Sequence, residues 1–155
     1  MSLNKPLFVL WLLLLALPLS AQKYERELRI KAAKAPEEAR RFVDSLAFEK
    51  KVKWYREIST RGISLEAKSK RQKHRYSIEF DTLGRLQDVE ITFDWEELPR
   101  PLRDSICSEL CRIFTKVHIV KVQRQLKGSR ETIRKHILLS ETNAPRIHYE
   151  LIVAG

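Results

Sequence analysis

The chain has 155 residues, with 30 Lys and Arg against 20 Asp and Glu, a net charge of +10, and two cysteines. That length holds one domain able to bury its own core, which excludes dependence on disulfide or metal staples. The positive balance favours acidic partners or anionic surfaces without identifying one.

Met1 to Lys5 make a positive start, residues 6–19 are almost wholly apolar, and Ser20-Ala21-Gln22 follow. These are the parts of a secretory signal peptide, with cleavage expected after Ala21; the apolar run falls short of the ~20 residues a spanning helix uses. The expected organisation is a leader over 1–21 and a single α+β domain over 22–155, exported to the periplasm or the medium. No cysteine closes the apolar run, so nothing there supports a lipid anchor. Residues 24–31 alternate Tyr24, Arg26, Leu28 and Ile30 on one side and read as an edge strand, its charges discouraging further pairing. Pro36, Glu37 and Glu38 suit a first helical turn, and Ala39, Phe42, Val43 and Leu46 then recur at helical spacing over 36–47.

Residues 52–94 read as a four-strand meander that completes the unit over 22–96. Val52, Trp54, Arg56 and Ile58 share one side of a first strand, and Ile63, Leu65 and Ala67 one side of a second. Tyr76, Ile78 and Phe80, then Val89, Ile91 and Phe93, do the same in a third and fourth. A period of two with polar residues between requires a sheet with one core face and one wet face. Gly62 and Gly84 supply the positive φ that short hairpin turns need. Residues 68–74 lack Gly and are expected to form a longer, mobile loop, while Leu86, out of step with Val89, implies a bulge.

The unit over 97–155 opens with a helix after Glu97-Leu98-Pro99, carried to Thr115 on a stripe of Leu102, Ile106, Leu110, Ile113 and Phe114. Cys107 and Cys111 lie beside that stripe and are expected to be small buried hydrophobes, their helical spacing being poor for a bridge. The stripe is expected to be a main source of stability, so that Leu110→Asp unfolds the chain. A strand over 117–126, a Ser129-capped helix over 130–139 with Ile133 and Ile137 inward, and a last strand of Ile147, Tyr149, Leu151 and Val153 follow. The fold class is α+β, an antiparallel sheet with helices packed on one face.

Several of these stretches share a pattern: Val52-Lys53-Trp54, Tyr76-Ser77-Ile78-Glu79-Phe80-Asp81 with Gly84, Glu97-Leu98-Pro99, Ile119-Val120-Lys121-Val122 and Tyr149-Glu150-Leu151. Together they resemble the exported PepSY-like proteins, which are themselves described as similar to the beta-lactamase inhibitory protein. The resemblance covers 36–125 and 147–153. It implies helices on an antiparallel sheet, an extracytoplasmic location, no catalytic residues, and binding or inhibition of proteins. Residues 128–146 depart from the pattern, since a helical insertion stands where a tight hairpin is expected.

Catalytic constellations are missing from the sequence: His74, His118, His136 and His148 are scattered, and no phosphate-binding Gly loop or nucleophile motif occurs. No enzyme activity, cofactor or metal is expected. Paired strands could bring His118 and His148 together, but two histidines near each other by chance are commoner. Glu90, Asp94, Glu96 and Glu97 lack calcium-loop spacing and read as a solvated strand end. Two surfaces compete as binding sites. The wet sheet face with Lys53, Tyr55 and Glu57, joined by Trp95 at the end of the fourth strand, suits a protein or envelope component. The basic loop with Lys68, Lys70, Arg71, Lys73 and Arg75 suits an anionic membrane surface or polyanion, with a second basic group at Lys121, Arg124, Lys127, Arg130, Arg134 and Lys135. Nucleic acid is not expected, because no aromatics interleave with these cations.

Overall fold

The computed structural model describes residues 25–139 and 145–154; the expected leader and its cleavage site lie outside them. Seven strands pair antiparallel in chain order, each with the next: β1 (Glu25–Ile30), β2 (Lys53–Ser59), β3 (Gly62–Arg71), β4 (His74–Asp81), β5 (Leu86–Phe93), β6 (His118–Lys127) and β7 (Arg146–Ala154). Three helices interrupt this meander: α1 (Glu37–Ser45), α2 (Arg100–Ile113) and α3 (Arg130–Leu139). Short 3-10 turns at Ala32–Lys34 and Trp95–Glu97 precede the first two helices. The α+β class and the antiparallel sheet are therefore present. Among the described residues, no helix is long and apolar enough to cross a membrane.

The alternation assigns most faces as expected, although Ile63 and Tyr149 stay exposed near the sheet's ends and edge. Ala39, Phe42 and Val43 of α1, its C-cap Leu46, and Ile133 of α3 share one buried cluster with Trp54, Leu65, Ala67, Ile78, Phe80, Val89, Ile91 and Leu126. Phe80 sits at its centre, edge-on to Phe42 at 6.2 Å and stacked with Trp54 at 6.0 Å. Pro36 and two acids open α1, and the Arg71 guanidinium closes it by donating to the Leu46 carbonyl at 2.9 Å. Ser129 caps α3, accepting from the Thr132 amide at 3.1 Å.

Two turns hold the register. Gly84, at φ 86°, lies so close to α1 that a Cβ there would stand 2.8 Å from the Pro36 Cβ, and its carbonyl accepts from Arg130 of α3 at 2.6 Å. The bulge expected near Leu86 appears as a register shift, with Phe80 opposite Leu86 but Glu79 opposite Asp88. Residues 68–74, however, are not a loop. They complete β3 and begin β4 around a tight turn in which Gln72 takes φ 51°. The absence of Gly argues for a longer loop, but a single non-Gly residue adopts the left-handed region at modest cost.

The second correction concerns α2. It buries no residue, Ile113 is 72% exposed, and both Cys107 and Cys111 are exposed. Its apolar stripe is half-covered, with Leu102, Ile106 and Leu110 of intermediate burial, so the core is held by α1 and α3 instead. In chemical denaturation Phe80→Ala should cost about 3–5 kcal/mol, whereas Ile113→Ala should stay within about 0.5 kcal/mol.

Candidate functional site

With the apolar positions turned toward α1 and α3, every intervening strand residue faces the other way. That face is a trough of about 1220 Å³ running across the sheet, and no residue of any of the three helices lines it. Its charges are sorted by sign. Glu27 stands opposite Glu57, Glu66 opposite Glu79, and Glu79 opposite Asp88, so that acids meet acids across three strand boundaries, with Glu90 beside them on β5. Toward the β3–β4 turn, Lys53 stands opposite Lys68 and Lys70 opposite Arg75. Like charges directly opposite one another destabilise a sheet.

One cation crosses between the blocks. The Lys68 ammonium lies 2.6 Å from Glu27, 2.9 Å from Glu66 and 5.2 Å from the centre of the Tyr55 ring. Burial alone would lower its pKa, but the bonds to Glu27 and Glu66 outweigh burial and raise it. Glu27, Glu57 and Glu66 bring carboxylate oxygens within 4.8 Å of one another, close enough for a metal; the ammonium already fills the space between two of them. Glu66 also accepts from the Ser77 hydroxyl.

The remaining acids are less well compensated. Burial, then Glu25, Glu79 and neighbouring carboxylates, push Glu57 up. Burial and Glu150 raise Glu90 even though Gln123 donates to it at 2.9 Å. Asp88 is only 6% exposed, and Gln125 donates to its Oδ2 at 3.0 Å while Oδ1 has no hydrogen-bond partner among the described residues. Burial, then Glu79 and Glu90, raise it from 3.8 to about 6, against partial relief from Lys127 and Arg61.

Of the residues expected on a protein-binding face, Lys53 and Glu57 line the trough, and Tyr55 lies between them beneath Lys68. Trp95 does not join them. β5 ends at Phe93, and Trp95 opens the 3-10 turn beyond it, because Asp94 breaks the strand by starting that turn. The basic group is divided: Lys68 is paired with acids, Arg71 holds the end of α1, and Lys73 lies 3.3 Å from Glu97. Lys70 and Arg75 make no ion pair among the described residues and face the trough. The second basic group is spread over both faces, with Lys121 in the trough, Arg124 over the Phe93 ring at 6.0 Å, and Arg130 bonded to Glu38 and Gly84.

His118 and His148 are far from sharing a ligand, since His118 pairs with Ala154 and His148 with Gln125, near opposite ends of the strands. Asp94 and Glu97 form a solvated turn, as the spacing implied. The Glu97 carboxylate accepts from His74 at 2.9 Å and from the Asp94 amide at 3.0 Å, and the His74 bond first, then the Asp94 amide, hold it down to about 2.

Sequence reasoning located the wet face but missed the roles of Glu27, Glu66, Glu79, Asp88 and Glu90 as one acidic block. The signal was available in principle, since hairpin turns fix which residues stand opposite, but it required the bulge and the β1–β2 register. Comparison with family models, curated proteins and solved structures yields no match.

Asp88 has a folded pKa above its unfolded one, so its contribution is intact below about pH 4 and is lost as pH rises through about 6. Asp88→Asn should therefore raise stability at pH 7 by up to about 3 kcal/mol and flatten the decline between pH 4 and 6, measured by denaturation across pH.

Proposed function

We propose that this chain is an exported, non-catalytic binding module whose recognition face is the trough, and whose partner is a protein or envelope component. The observation that carries this reading is the division of labour in the sheet. The helices leave one face of the seven described strands uncovered, and that face holds a continuous concavity lined by fixed charges, with the Tyr55 ring beneath Lys68 at its side. A rigid sheet offers such groups at fixed spacing, which lowers the ordering cost of binding. The resemblance to PepSY-like proteins, in which helices pack on a sheet and protein binding is the expected role, supports the same reading and the finer fold assignment. The leader-like residues 6–19 support export.

Most of the expected basic loop is committed to internal contacts, which weighs against the polyanion reading. The test uses a cross-linkable residue at Thr92 in the trough and a control at Leu83 on the β4–β5 turn, incubated with envelope extract. A discrete product from Thr92 alone, retained at moderate salt and reduced about tenfold by Tyr55→Ala, is expected. Binding instead to anionic vesicles or heparin, abolished by salt and by Lys70→Ala with Arg75→Ala, would replace this reading with the electrostatic one.

A further inference from the structure

We infer that the partner presents an extended cationic polypeptide segment, lying across the strands on the block formed by Glu27, Glu57, Glu66, Glu79, Asp88 and Glu90. The inference deepens the binding role proposed above and rests on the trough being the recognition face.

Three observations converge on a cationic occupant. First, the acids oppose one another in register across the trough face, Glu27 against Glu57, Glu66 against Glu79 and Glu79 against Asp88. Each like-charged pair weakens the sheet, and a cation laid between its members removes the repulsion. Second, Asp88 at the trough wall is more than nine-tenths buried, yet its Oδ1 has no hydrogen-bond partner among the described residues. Buried polar oxygens are ordinarily satisfied, so this one, covered at the wall of the trough, is a site where a small shift of the side chain would let an outside donor complete the pairing that Gln125 gives only to Oδ2. Third, Lys68 already shows the required chemistry: a primary ammonium bridges Glu27 and Glu66 over the Tyr55 ring. A Lys or Arg from the partner reaching Glu57, Glu79 or Glu90 would repeat that arrangement next to it.

The opposed cations set the direction and composition of the segment. Lys53, Lys70 and Arg75 border the same trough, so a peptide that is basic along its length and carries a carboxylate at the end over Arg75 matches both blocks. A uniformly acidic ligand would meet the larger block with the wrong sign. The trough lining is close to balanced, with ten acids and nine Lys and Arg, while the whole chain carries +10, so it is the acidic block within the trough that draws a basic segment.

The test uses the full chain after removal of the leader and three labelled eight-residue peptides, alternating Lys-Thr, Glu-Thr and Gln-Thr, followed by anisotropy and by amide shifts of the labelled protein. The Lys-Thr peptide should bind, perturb amides of β2 to β5 on the trough, and lose about tenfold in affinity in the Glu57→Gln/Glu79→Gln double variant. The same variant should melt at a higher temperature than the parent, because removing opposed charges relieves the sheet. Weaker binding in a more stable protein cannot come from misfolding. If only the Glu-Thr peptide perturbs the trough, the recognition face stands and the cationic assignment fails. If the Lys-Thr peptide binds the double variant unchanged, or no peptide perturbs the trough, the inference is overturned; a Thr92 cross-link to a natural partner would then still uphold the face itself.

Discussion

Everything in this molecule follows from burying one face of a seven-stranded sheet against α1 and α3. Trp54, Ile78, Phe80, Val89 and Ile91 can reach α1 only if each strand keeps its phase. A slip of one residue would carry them all to water. The turns at Gly62, Gln72 and Gly84 and the bulge before Asp88 keep that phase. Gly84 does so by close contact as well as by conformation, since Pro36 leaves no room for a side chain there.

The uncovered face is the complement of that arrangement, and magnitudes explain why it can carry such an unfavourable charge pattern. Each large apolar side chain buried under α1 contributes about 1.5–3 kcal/mol. An opposed pair of like charges costs only about 0.2–1 kcal/mol. The core can therefore hold Glu66 against Glu79 and Glu79 against Asp88 without losing the fold. The tension is visible in the carboxyl groups instead, where burial and neighbouring acids push Glu57, Asp88 and Glu90 upward. Polar residues relieve part of it: Gln123 and Gln125 donate to Glu90 and Asp88, and Lys68 draws Glu27 and Glu66 together.

The helix α2 stands outside this balance. Its start is well specified by Pro99 and Pro101, and its apolar residues recur at helical spacing, yet none is fully buried. Periodicity reports that a helix has an apolar side; it does not report whether a sheet surface remains to cover it. Here the buried cluster takes its helical residues from α1 and α3 and none from α2. The thiols of Cys107 and Cys111 share the consequence and stand exposed.

Local pattern alone marks the strands other than the stretch 68–74, the three helices and the bulge at Leu86, because the phase of alternation and the turn residues are local properties of the chain. It also placed Lys53, Tyr55 and Glu57 on the open face. Which charges stand opposite which is a matter of long-range pairing, since Glu66 meets Glu79, and Glu79 meets Asp88, through registers set by turns and a bulge many residues apart. The same holds for the basic residues between Lys68 and Arg75. Composition marks them as a patch, but long flexible side chains take whichever partner the fold brings within reach, here Glu27, Glu66, Glu97 and the Leu46 carbonyl.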